Sequence, residues 1–281
     1  EAAGIVNNAN KMENCVNYAD VTGFNFAGGI GNHIAKKAEN CINYGNISIT
    51  GRAYQYGGAG GIASGSSKAK ILKCVNYGII SGKSEFVGGI IGLLRNEEEQ
   101  IIDSCVNYGK INLSDLIPVY TKGCGGIVAS CSARNLKIIN SINYGEVRGS
   151  NGGGIIGSVN GHAWPNNVSV NVENCANFGN IYGMGGIVGK QSIICAKNYI
   201  TIKNSYNVGE IAGDNIGNVI GKIEYDKSTE TKTEFENVYY SNRPDIEGGT
   251  LTSGFATLKT KEEMHSQEFV NLLNQNIGSN S

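Results

Sequence analysis

Apolar residues come in short runs along this chain, rich in β-branched side chains and bounded by Gly, Asn and Ser. That pattern predicts strands and turns rather than helices. The runs repeat. Asn40-Cys41-Ile42-Asn43-Tyr44-Gly45 has sister copies centred on Cys15, Cys74, Cys105, Ser141, Cys175 and Ser205, and a degenerate one at Asn237-Val238-Tyr239-Tyr240. The Cys/Ser positions recur every 26 to 36 residues, about 32 on average, which is the window of stacked solenoid repeats. A second half follows each copy in phase: Gly28-Gly29-Ile30, Gly60-Gly61-Ile62, Gly88-Gly89-Ile90, Gly125-Gly126-Ile127, Gly153-Gly154-Ile155, Gly185-Gly186-Ile187 and the weaker Gly217-Asn218-Val219. A third apolar stretch precedes the Cys or Ser, as in Ile71-Leu72, Ile138-Ile139 and Ile200-Thr201-Ile202.

Three strand-like pieces per copy make one coil of a parallel β-helix. The expected fold is therefore all-β, a parallel solenoid of about seven to eight coils, right-handed by analogy, with a short C-terminal helix. Coils stack about 4.8 Å apart, so seven span on the order of 34 Å. An up-and-down barrel fits less well, because identical motifs at one period want to sit above one another. Within a rung, Cys15, Cys41, Cys74, Cys105 and Cys175, with Ser at 141 and 205, predict a ladder of small buried side chains. Asn17, Asn43, Asn76, Asn107, Asn143, Asn177 and Asn207 predict a ladder of stacked amides. The Gly after the aromatic residue permits a bend or a positive φ. Tyr18, Tyr44, Tyr77, Tyr108, Tyr144 and Phe178 form a stripe whose side depends on parity. Unbroken alternation from the Cys puts it outside the coil; a bend at the Asn makes it core. The second arrangement is favoured, since a long exposed aromatic patch is unusual on a soluble protein.

The repeat divides the chain into a β-helix domain, 1–240, and a linker with a capping helix, 241–281. Thr260 and Glu263 have the spacing of a capping box, and Met264, Phe269, Leu272 and Leu273 give the following helix an apolar face. Such a helix would cover the open end of the solenoid or join it to a following domain.

The 281 residues carry 23 basic and 24 acidic side chains, with neither a basic stripe for nucleic acid nor an acidic block. No apolar run is long enough for a membrane span, so no direct membrane insertion is expected. The 41 glycines suit a narrow core. The chain starts at Glu1, partway through a repeat, and reads as a piece of a longer protein. Its eight cysteines read mainly as buried thiols: parallel Cβ vectors suit disulfides poorly, and no C-x-x-C pair suggests a metal. Unpaired thiols fit a reducing compartment or an anaerobic extracellular one.

No catalytic, metal or cofactor set stands out. Asp20, Asp103, Glu146 and Glu210 are scattered rather than paired for acid–base work. Asn96-Glu97-Glu98-Glu99 reads as a solvated turn. The copies differ most in their insertions, and variable loops on a repeat scaffold are where binding residues gather. Arg52, Tyr54, Tyr56, Tyr120, His162 and Trp164 are the candidate ligand-binding residues.

The phased pattern Asn-Cys/Ser-x-Asn-Tyr-Gly-x-Ile, then Gly-Gly-Ile-x-Gly, resembles the GLUG-type repeats of bacterial surface proteins. Such repeats occur in adhesin-like proteins and beside the catalytic part of IgA-specific metalloproteases. The tail Glu236-Asn237-Val238-Tyr239-Tyr240 and Lys261-Glu262-Glu263-Met264 through Asn274 resembles the segment that closes such arrays. The resemblance implies an extracellular or cell-surface setting within a larger protein. It also implies a non-catalytic adhesin or stalk role, with a host glycoprotein or glycan and further domains of the same protein as partners. It carries over no catalytic residue, because His33, His162 and His265 are isolated and no His-Glu-x-x-His is present. The alternatives are a substrate-positioning domain of a secreted metalloprotease and a polysaccharide-degrading β-helix enzyme.

Overall fold

The computed structural model describes residues 1–51, 57–83, 86–114, 123–160, 167–192, 197–213, 216–224, 230–241 and 256–277. Its strands pair in parallel in four sheets of six, twelve, nine and seven strands. The molecule is a β-solenoid.

Each coil passes through four strands rather than the three expected. The asparagine sheet holds Ile42–Asn43 and its counterparts, and the isoleucine sheet holds Ile47–Ile49 and its counterparts. Gly45 lies between them and splits the first half of the repeat. The glycine sheet (Gly58–Gly60 and equivalents) leads through the Gly-Gly-Ile turn into the long sheet. There the remaining two pieces run together, as in Gly31–Glu39 and Val128–Ile139. Register follows the repeat. Asn43 pairs with Asn17 and Asn76, and Ile80 with Ile47 and Ile111, so like sits on like.

The solenoid makes about six turns, fewer than the seven to eight expected. Among the described residues, beyond Gly152–Gly153 the glycine sheet continues only as the isolated bridges Gly153–Gly185 and Gly185–Gly217.

The sharp bend falls one residue before the Cys or Ser. Asn14, Asn40, Lys73, Ser104, Asn140, Asn174, Asn204 and Asn237 all have φ between 45° and 55°. Asn is the common choice because its short side chain tolerates the left-handed region. The Gly after the aromatic residue does not supply that bend. At Gly78 the requirement is close approach: a Cβ would strike the Gly45 carbonyl of the neighbouring coil.

The interior is divided in two. Ile30, Ile34, Ala38 and Cys41 begin one core, which runs along the coils between the long and asparagine sheets. Val21, Ile47, Ile49, Ala27 and Ala59 begin the other, between the isoleucine and glycine sheets. The amide ladder lies against the glycine turn, where a Cβ on Gly61 would collide with the Asn76 carboxamide and the Gly89 carbonyl. The two halves of the repeat are therefore one device, in which the Asn needs the second Gly of Gly-Gly-Ile.

At the C-terminal end, Thr257–Leu258 adds a strand beside Tyr239–Tyr240. The capping box is formed: Thr260 Oγ1 accepts from the Glu263 N–H at 3.1 Å, and the Glu263 carboxylate accepts from the Thr260 N–H at 2.6 Å. The single expected helix is two, α1 (Lys261–Met264) and α2 (Gln267–Ile277). Ser266 divides them, its Oγ accepting from the Phe269 N–H as a new cap.

Candidate functional surface

The amide ladder is continuous. Each Asn Nδ2, from Asn17 to Asn177, donates to the Oδ1 of the next Asn at 2.7–2.8 Å. Its other hydrogen goes to a backbone carbonyl two residues on, as from Asn43 to Gly45. The ladder ends at Asn207, because Tyr240 takes the next position.

The aromatic stripe lies outside the coil, contrary to the expectation that it is core. Cys41, Asn43, Gly45 and Ile47 are buried while Tyr44 is exposed, so alternation is never reset. The bend that was expected to reset it sits at Asn40, upstream of the Cys. Tyr18, Tyr44, Tyr77, Tyr108, Tyr144 and Phe178 stack with centroids 4.9–5.1 Å apart and planes within 10°. Stacking removes the ring faces from solvent, leaving edges and hydroxyls along the stripe. The stripe is therefore no platform for a sugar ring, except at Tyr18, which is 76% exposed.

Beyond Phe178 the stripe is covered. Phe269 of α2 packs edge-on against Tyr206 and Tyr239, and Met264, Leu272 and Leu273 close the cluster around Val208.

Cys15, Cys41, Cys74, Cys105, Cys131 and Cys175 are free thiols. Cys41, Cys74, Cys105 and Cys175 are fully buried, and Cys15 closes the ladder at its partly exposed end. Hydrogen bonding to Cys74, then burial, raises the Cys41 thiol well above its ordinary range; bonding to Cys105 does the same for Cys74. Burial pushes Cys131 and Cys175 up to about 12. Such thiols stay protonated at neutral pH and are poor nucleophiles. Among the described residues no group of three or more His, Cys, Asp or Glu could hold a metal ion, and no helix is long and apolar enough to cross a membrane. Lys190, 4% exposed, is closed by Glu224 at 2.8 Å, whose carboxylate also accepts from Ser192.

Arg52, Tyr54, Tyr56, Tyr120, His162 and Trp164 all lie outside the described residues. A different group is brought together where the glycine and long sheets meet. Phe26, Asn32, His33, Ser64, Ser67 and Leu93 line a cavity of about 370 Å³. His33 Nε2 and Ser67 Oγ lie 3.3 Å apart in it. Sequence reasoning set His33 aside as isolated. The available signal was disagreement between copies just past Gly-Gly-Ile, where Asn32-His33 in one coil matches Ser64-Gly65 and Gly92-Leu93 in the next two.

No protein-family model matches this chain, and no curated protein or solved structure matches it either.

Proposed function

We propose that this chain is a non-catalytic repeat module of a bacterial cell-surface or secreted protein. It acts as a stiff spacer that holds its variable loops in place for a host glycoprotein or glycan. The observation that carries this reading is the unbroken amide ladder from Asn17 to Asn207. The tyrosine stack and the buried thiols support it, since both groups spend their chemistry on neighbouring coils rather than on solvent. The resemblance to GLUG-type repeats supports the setting.

Single-molecule stretching of the full chain, held at its two ends, tests the spacer role. Expected are discrete events that each release one coil, roughly 110 Å of chain for about 32 residues. Smooth extension at low force would refute a stiff spacer. Depolymerisation of pectin, alginate or a glycosaminoglycan by the purified chain would refute the non-catalytic part. For the loops, binding to mucin-type glycoprotein that is lost on Tyr54→Ala or Trp164→Ala supports presentation.

A further inference from the structure

We infer that the cavity between the glycine and long sheets is a saccharide-binding cleft, separate from the variable loops. Its walls are of three kinds, one of them the charged pair of side chains Arg95 and Glu1. Phe26 and Leu93 supply apolar surface, while Asn8, Asn32, Ser64, Ser66, Ser67 and His33 supply small donors and acceptors. A sugar ring needs that mixture: its C–H face packs on carbon, and each hydroxyl both donates and accepts. At about 370 Å³ the cavity has room for roughly one or two pyranose rings.

Two side-chain contacts order the polar wall before any ligand arrives. Asn32 is 5% exposed, and its Oδ1 accepts from Ser64 Oγ at 2.8 Å. Its Nδ2 supplies a donor on the same residue of the cavity wall. The Ser67–His33 contact fixes one ring nitrogen of His33. Glu1 is the one carboxylate on the described wall, and glycoside hydrolysis generally needs two, so the cleft binds rather than cleaves.

The inference does not rest on the spacer role, which stands or falls by the stretching experiment. An NMR titration of the full chain tests it, using methyl glycosides of glucose, galactose, N-acetylglucosamine and glucuronic acid, with inorganic phosphate as the competing ligand. At least one glycoside is expected to shift His33, Gly65 and Ser67 saturably, with a Kd on the order of 1 mM. Gly65→Phe should weaken it by at least about tenfold. A Cβ at Gly65 meets only the Leu93 carbonyl, at 3.3 Å, so a larger side chain fills the cleft from its wall. Ser67→Ala and His33→Gln, at partly exposed positions, should each weaken binding several-fold and keep the test sharp if Gly65→Phe misfolds. No saturable shift with any glycoside, a response to phosphate alone, or unchanged affinity in all three variants overturns the inference.

Discussion

Asn107 sits at the middle of the amide ladder, fully buried, accepting from Asn76 and donating to Asn143 at 2.8 Å each. Leucine is close to it in size but removes three buried bonds, one to each neighbouring amide and one to the Gly109 carbonyl. Asn107→Leu is therefore expected to cost about 3–5 kcal/mol, read as a lower urea midpoint at unchanged slope. Asn17→Leu, which breaks a single ladder bond at the end, should cost about 1–2 kcal/mol; equal losses at the two sites would show that the ladder is not the cause. Lys73 makes the opposite case. It holds φ 52° where six of its counterparts are Asn, and it interrupts the outer pairing seen between Asn40 and Asn14. Lys73→Asn is expected to stabilise by roughly 0.5–1 kcal/mol, measured as a raised thermal midpoint. The thiols set an alkaline limit. Cys175 titrates near 12 in the folded chain against 9.0 in the reference state. Below pH 9.0 both states hold the proton; above it the unfolded chain releases it first, so this stability is lost as pH climbs toward about 12. Each such thiol contributes a slope of about 1.4 kcal/mol per pH unit. Cys175→Ser, the residue already present at 141 and 205, should flatten the loss by one such slope in urea titrations above pH 9.0.

At the level of elements, the legible features were those whose code is local. Thr260 and Glu263 announce their own capping box three residues apart, and the box is there. Strand placement was legible because the period stacks each residue on its own kind. The side of the tyrosine stripe was not, because Asn40 and Asn43 are equally good bend residues and only one carries the positive φ. Nor was the division of the C-terminal helix, since Ser266 reads as an ordinary helical residue until its hydroxyl turns to cap Phe269. That division aims Phe269 at Tyr206 and Tyr239, with ring centroids 5.3 and 5.1 Å away. Phe269→Ala should cost about 3–4 kcal/mol, but locally. Amide exchange is expected to quicken by about a hundredfold or more across α2 while Ile127, in a central coil, keeps its protection. A uniform loss across the chain would mean that α2 is part of the solenoid's own cooperative unit.

The whole molecule behaves as a stack in which each coil touches chiefly its neighbours, and this limits what sequence could say about a site. Repeat positions explain themselves by self-similarity; a cleft is made where the similarity lapses, at Asn32, His33, Gly65 and Leu93, and the repeat says nothing of which lapses meet in space. The same stacking makes damage directional. Gly126 is where a Cβ would meet both the Asn143 carboxamide and the Gly154 carbonyl, so the two halves of one coil and the coil beyond are disturbed together. Gly126→Ala is expected to cost more than about 3 kcal/mol and to split unfolding into two transitions, one for the coils on either side. Gly65→Ala, whose Cβ would meet only the Leu93 carbonyl at 3.3 Å, should stay within about 1 kcal/mol and keep a single transition. Hydrogen exchange distinguishes the outcomes: in Gly126→Ala the amides around Ile62 and Ile187 should open with different free energies, each set by the coils left on its own side. If they still open together, the coupling between coils runs through the backbone ladders alone, and the Asn-against-Gly contact is a packing detail rather than the joint that unites the repeat.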